Sequence, residues 1–515
     1  NGGAVIWTGN VGLIDNCNFK YSTAPKLGGA IFIQQNTNIT IKRSHFTNNT
    51  AGINGGAIDF YRGASNGKII DSTFDNNIAN RSGGAVFWFG VNGTIEHSTF
   101  NNNKALGIAN YTDSYGCNTY GGYGGAIMWT GAIGYVYDCT FTSNEAKYNE
   151  DQSSGGRGGA VYLQGSDEGN CTNTTFDKCT FIGNKAGTNG GAIDWHEGAE
   201  YGKVSHSIFV NNTADSNGGA IYWRGHEGFI LNSNFTNNTA KGLHTGSYGN
   251  LGDGGAIFWA GIDGDVENCR FIGNKAIYDT NMVLVDSTGA RINGGRGGAV
   301  YLTQCDHGNK NTTFKNVYFK DNVAGTNGGA IDWHEGAEDG LVNNGTFINN
   351  VAHRNGGAIF WHGHNGTIKH SRFNNNRATG TAHLYPIKVD MGTIIEVKTN
   401  GDLVLGNINI IQGSDLPSVA PTSSDANKLF TLNYTDGKNS NGDTIHIFKL
   451  YVAHETSPNV WEWLKLDETN VTIDTISPVD WTIDQFFGGD GGTILWSGDL
   501  GDVINCTFEN SNSAR

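Results

Sequence analysis

Proline is almost missing from this chain, six residues in 515. An apolar run of about 18 residues is missing altogether, which excludes a membrane-spanning helix. Positive charge is also short: 33 lysines and arginines stand against 48 aspartates and glutamates, a formal charge of −15. A nucleic-acid partner needs a basic stripe to replace counterions, and adsorption to an anionic membrane surface needs basic clusters, so neither is expected. Residue 1 is not methionine, no signal peptide precedes the first motif, and that motif already belongs to a repeat. The chain is therefore expected to be a mature product or a cut from something longer. What is abundant is glycine, at 77 residues. Glycine-rich chains are often disordered, but disordered chains lack the aliphatic and aromatic residues present here.

Self-similarity decides the architecture. Gly-Gly-Ala begins at residues 2, 28, 55, 83, 124, 158, 190, 218, 254, 297, 328 and 356, with Gly491-Gly492-Thr493 as a thirteenth copy. Val or Ile always follows, from Val5 to Ile494, and two residues later nine copies carry Trp, as at Trp88 and Trp195. Next come a Gly-containing turn, a single apolar residue such as Ile69, a corner, and then small-x-Phe as in Ser44-His45-Phe46. Eleven units close on F-x-x-N-x-A, for example Phe74, Asn77 and Ala79. Three short alternating runs per unit of 26–28 residues read as strands, and their repetition reads as an all-β fold, a right-handed parallel β-helix of thirteen coils. At ~4.8 Å per coil the rod is roughly 60 Å long. The Asn of F-x-x-N is expected to form an amide ladder along one corner.

The coils also fall into four types that recur every 135–138 residues. This longer period accounts for the segment AGTNGGAIDWHEGAE, found at 186–200 and again at 324–338: the two copies are equivalent rungs of duplicated blocks. Residues 1–379 supply coils 1–12 and residues 489–515 supply coil 13. Between them, 380–488 lacks the anchors and reads as an inserted β-rich domain carrying Trp461, Trp463 and Trp481. Aromatics that coil packing does not need are the usual anchors of an interface.

Strand parity points Ile193 and Trp195 inward and Asp194 and His196 outward. On that reading one face of the rod presents Asp194, Tyr222, Tyr301, Asp332, His334, Phe360 and His362 to solvent. Aromatic faces interleaved with planar polar groups suit sugar binding. The competing account is a solvated face whose aromatics support one another across strands. His334, Glu335, His362 and His364 lie on adjacent coils at metal-ligand spacing, but the preceding block sets His196 opposite Arg224, which repels a cation, so no metal is expected. Carboxylates recur per block without gathering in one cleft, so no catalytic residues are expected. Asp167, Glu168, Asp263 and Asp265 sit in turns, where a loose Ca²⁺ contact is the most that a cofactor reading supports. The eight cysteines form no decodable framework and read as buried free thiols filling apolar space. Sequons at Asn48, Asn92, Asn211, Asn237 and Asn365 fall on or beside turns and are candidates for glycosylation.

The iterated GGA[IV] and F-x-x-N motifs resemble the repeats of chlamydial polymorphic outer-membrane proteins. In the Asn-rich form G-G-A-I-x-W with N-C-x-F-x-x-N-x-A, the chain also looks like the adhesin-like surface proteins of methanogenic archaea. The resemblance covers 1–379 and 489–515. It implies a secreted protein displayed at the cell surface or wall, a non-catalytic adhesin whose partners are glycans or proteins of other cells. Two other functions remain open. One is a fibre or surface-layer subunit that joins copies of itself end to end; the other is a polysaccharide lyase or hydrolase.

Overall fold

The computed structural model describes residues 1–35, 38–109, 121–165, 171–243, 252–277, 294–304, 309–380 and 490–513, with backbone strands alone at 111–112, 118–119 and within 383–486. It is a right-handed parallel β-helix. Four sheets each contain thirteen strands, one strand per coil. The first sheet runs from Val5–Trp7 to Ile494–Trp496, the second from Gly12–Asp15 to Asp502–Ile504, and the third from Asn18–Lys20 to Thr507–Glu509. The sequence reading expects three strands per coil. The fourth sheet consists of two-residue strands such as Thr213–Ala214, too short to show an alternation of their own. Its residues pair in register none the less, Ala186 with Ala214 and Ala214 with Ala240.

The Gly-Gly anchor has a steric cause. Gly190 has φ +66°, and a Cβ there would fall 2.4 Å from the Ile193 carbonyl oxygen. A Cβ on Gly191 would fall 2.0 Å from the carbonyl oxygen of Gly219 in the next coil. The chain reverses tightly and neighbouring backbones touch, so no side chain fits at either position.

Inside the coil, like stacks on like. In the third sheet every coil places a Phe over the Phe of its neighbour, as in Phe181–Phe209 and Phe209–Phe235, both with centroids 4.7 Å apart and planes 5° from parallel. Trp88 stacks on Trp129 in the first sheet, and Trp361 stacks on Trp496. Where the repeat replaces Trp by Leu163 or Leu302, the second sheet supplies Phe176 or Phe314 in compensation. These rings meet the next coil's Trp195 and Trp333 edge-on. Large volume is moved across the core without being lost.

The amide ladder runs without a break from Asn49 to Asn376. Asn212 shows the pattern. Its Nδ2 donates to the Phe181 carbonyl at 3.0 Å and to Asn238 Oδ1 at 3.0 Å, while its own Oδ1 accepts from the side chain and backbone N–H of Asn184. The ladder is fully buried, yet each rung is satisfied by the coils on both sides. Corners are turned by single residues in the left-handed region: Asn232 (φ +50°) between the second and third sheets, and Asn211 (φ +55°) between the third and fourth. Asn tolerates this conformation better than other residues with a Cβ, which accounts for much of the Asn content.

The inserted segment, Leu384–Gln485, forms a compact unit of its own. It contains a four-stranded sheet in which Ile410–Gly413 pairs parallel to Leu429–Lys438, followed by antiparallel Thr444–Ser457 and Val460–Lys465. Among the described residues, no helix is long and apolar enough to cross a membrane.

The ladder and the corner beside it should respond differently to mutation. Asn212→Ala strips partners from buried groups on two coils and should cost about 2–4 kcal/mol, at ~1–3 kcal/mol per unsatisfied group. Asn211→Gly, one residue away but already at positive φ, should stay within about 0.5 kcal/mol of wild type. Urea midpoints of the two variants make the comparison.

Candidate functional site

The outer side of the first sheet does not face water. Asp194 and Asp332 are 0% exposed, and Tyr301, Tyr222 and Phe360 are 1%, 3% and 9% exposed, which overturns their reading as a solvent face. His334 and His362 are half-buried. In the middle of the sheet the cover comes from residues that precede a Gly-Gly pair, Tyr123, Arg157 and Arg296. The tight turn at the first glycine lays these side chains back over the strand or the next one. Tyr123 stacks on Tyr162 with centroids 4.7 Å apart. Arg296 lies 4.4 Å above the Tyr301 ring and brings Nη1 within 3.0 Å of His334 Nε2. Arg157 similarly reaches His196 Nδ1 at 3.0 Å. Parity assigned these strand residues to the outside correctly; it had no means of showing that the preceding residue covers them.

The covered face holds ionisable groups at four-coil intervals. Asp59, Asp194 and Asp332 occupy the same position in successive blocks, and neither oxygen of any of these carboxyls has a hydrogen-bond partner among the described residues. Burial drives the Asp194 carboxyl up to about 7, against the opposing pull of Arg157 and Arg224. Asp59 rises well above its ordinary value through burial. His196, whose Nδ1 is 4.0 Å from Asp194, is held well below its usual range by burial and then by the same two arginines. In the later block Asp253 takes the place of Tyr123. It accepts from Arg296 Nη2 at 2.7 Å and Nε at 3.2 Å, a buried charge pair laid against Tyr301. The two blocks thus solve one packing problem with different polar groups. Beneath that cover these acids and bases do not meet a polymeric substrate.

The remaining candidates lie elsewhere. Trp461 and Trp463 sit on the inserted strand Val460–Lys465, where Trp463 is half-buried; Trp481 falls outside the described residues. All five sequon asparagines are left-handed corner residues, with φ between +52° and +56°. In the Asn-Asn-Thr sequons at Asn48, Asn211 and Asn237, the second Asn is a ladder rung and the Thr begins the fourth strand, so the coil itself accounts for the motif. Asn92, Asn211, Asn237 and Asn365 are exposed and Asn48 is half-buried. His334 and His362 meet edge to face with centroids 6.0 Å apart, and the His334 Nε2 is turned to Arg296. Cys17, Cys139, Cys171, Cys179, Cys269 and Cys506 are free thiols. Cys139 Sγ lies 3.2 Å from the Tyr137 carbonyl oxygen, in the place where the Ser98 hydroxyl donates to the Glu96 carbonyl at 2.8 Å, and burial pushes the thiol up to about 12.

One exposed group escaped the sequence reading. In the second-sheet strand Gly134–Tyr137, Tyr135 and Tyr137 both point outward, with ring centroids 5.9 Å apart and planes within 15°. The adjacent coils place Glu96 and Asp177 beside Tyr137. Lys178 Nζ lies 2.8 Å from the Tyr137 hydroxyl, and His97 Nδ1 lies 3.0 Å from Asp138. The signal was the alternation in Gly-Tyr-Val-Tyr, overlooked because the Trp-bearing strand drew attention to the first sheet.

The Asp194 shift sets a pH dependence. The unfolded carboxyl titrates near 3.8 and the folded one near about 7, so folding takes up a proton between them. The associated stability is complete below about pH 4 and is lost as pH rises through about 7. Wild type should therefore show a lower urea midpoint at pH ~8 than at pH ~5. Asp194→Asn should narrow that gap by roughly 1–3 kcal/mol, the scale of one unsatisfied buried polar group.

Five segments, 71–87, 178–194, 206–222, 316–332 and 344–360, match the Chlamydia polymorphic membrane protein repeat. Each match runs from a left-handed corner residue, through the third and fourth sheets, to the covered residue of the next coil's first strand. Similar solved structures include a PL6 alginate lyase in complex with a trisaccharide. It is 13% identical with a TM-score of 0.36, over 72% of this chain and 69% of that one. The alginate lyase AlyF-OU02 is also 13% identical, with a TM-score of 0.38, over 72% of this chain and 80% of that one. At these values the likeness transfers no chemistry. No curated protein matches the chain.

Proposed function

We propose that this chain is a non-catalytic adhesin of the cell surface, a rigid β-helix that attaches to glycans or proteins of other cells. The observation that carries this reading is the burial of the side chains equipped for acid–base work. Asp194 and Asp332 are sealed under the first sheet's own cover, while exposed corner amides pair from coil to coil, as Asn92 does with Asn66 and Asn375 with Asn349. A hydrolase or lyase needs its acid and base within hydrogen-bond reach of the scissile sugar. Attachment needs only a stiff, repetitive surface. The five matched repeats support surface display, because the family that owns them is named for membrane proteins. On this reading Trp461, Trp463 and Trp481 of the inserted segment add a second contact region, and the exposed corner asparagines Asn92, Asn211, Asn237 and Asn365 carry glycans.

Two measurements on the purified chain test this together. Beads coated with it should capture or aggregate microbial cells. The same chain, incubated with alginate, pectin and neutral polysaccharides, should release neither unsaturated products nor new reducing ends. Turnover that Asp194→Asn or Asp332→Asn abolishes would replace the adhesin with an enzyme.

A further inference from the structure

We propose that the outer face of the second sheet holds a carbohydrate platform centred on Tyr135 and Tyr137, and that its ligand is a glycan of uncharged sugars. The proposal rests on the adhesin reading and gives it a site and a ligand class.

The first argument is what flanks the rings. Inside the rod the third-sheet Phe residues from Phe46 to Phe373 are each covered on both faces by the Phe of the neighbouring coils, so none of these is available to a ligand. Tyr135 is placed differently. Its ladder neighbours are Thr94 and Thr175, side chains too small to cover a phenol ring, and Tyr135 is 39% exposed. An exposed ring on a surface of threonines and charged groups offers a face to the C–H side of a pyranose, whose opposite edge bears hydroxyls.

The second argument is the arrangement of polar groups. Sugar hydroxyls both donate and accept, so a site needs acceptors and donors at fixed positions. Glu96 and Asp177 stand one coil before and one coil after Tyr137, and β-ladder spacing sets them ~10 Å apart across it. Asp177 is held in place by the Ser205 hydroxyl at 2.8 Å and by His206 Nδ1 at 2.8 Å. Lys178 is fixed by the Tyr137 hydroxyl and lies 5.1 Å from its ring centroid. An acceptor and a donor are thereby set before any ligand arrives, which lowers the ordering cost of a weak contact.

The third argument is charge. Within one coil of the two rings, the described residues set Glu96, Asp138 and Asp177 against the ammonium of Lys178, and Lys68 and Lys203 come one coil further along the Tyr135 ladder. A uronate polymer would meet repulsion here, whereas a neutral glycan forfeits nothing. The surface is a sheet face without a deep cleft, so one copy should bind weakly and display in many copies should raise the avidity.

The test uses the full chain, biotinylated and made tetravalent on streptavidin. It is applied to an array of neutral hexose and N-acetylhexosamine oligosaccharides that also carries alginate, polygalacturonate and a lysine-rich peptide. Binding to neutral oligosaccharides is expected, with at least a ~10-fold loss in Tyr135→Ala, about one anchor residue's worth of affinity. Tyr135→Phe should retain most of the binding, and an unchanged melting profile shows that the ring is not needed for folding. The proposal is overturned if only the uronates or the peptide bind, or if Tyr135→Ala binds as wild type does. In the second case, cell capture by that variant shows that the adhesin reading survives without this site. If wild type captures no cells and binds no glycan, both fail.

Discussion

Everything in the rod follows from one constraint: a parallel coil offers its neighbour the same residue at the same height. A buried Asn is costly alone, because its amide has two donors and an acceptor to satisfy away from water. In register, each rung finds its partners in the coil before and the coil after, and the cost is cancelled along the whole column. Phe columns obey the same rule through ring stacking, and the Gly-Gly anchor obeys it through backbone contact too close for a Cβ. A coil cut from this sequence would lose all three at once, which is why stability in such folds belongs to neighbours and not to units.

The same register explains why the first sheet's outer face became interior. A tight turn precedes every first-sheet strand, and where the residue ahead of it is large its side chain lies across that strand or the next one. The repeat therefore acquires a second, shallow layer of packing, made of Tyr123 on Tyr162 in one block and of Arg296 on Tyr301 in the next. Polar groups trapped in that layer, such as Asp194, titrate far from their ordinary range because water is gone and compensation is partial. Elsewhere in proteins such perturbed groups mark chemistry; on the adhesin reading they are a by-product of a covered sheet.

For function, the consequence is a division of surfaces. The Trp-bearing strands that dominate the sequence pattern are spent on packing on both of their sides. On the proposed reading, recognition falls to strands whose outward residues were left free to vary, and the second sheet offers Tyr135 and Tyr137. A rod of this kind gains binding by decorating coils, without building a pocket.

Much of this was legible in the sequence, because inward positions repeat and each repeat restates the same physical demand. The spacing of Gly-Gly-Ala, the aliphatic column from Val5 to Ile494 and the Phe and Asn columns are local patterns multiplied from coil to coil, and the inserted segment stands out as the stretch that lacks them. Parity along a strand also located Asp194, Tyr222, Tyr301, Asp332 and Phe360 on the outer side. Whether that side is wet was not a local property. It depends on where the residue before each turn comes to rest, and that is set by a left-handed glycine and by the coil stacked alongside. Burial, and with it the fate of every candidate on the first sheet, was decided by tertiary structure for this reason: strand alternation separates two faces, but only the packed neighbours determine which of them water can reach.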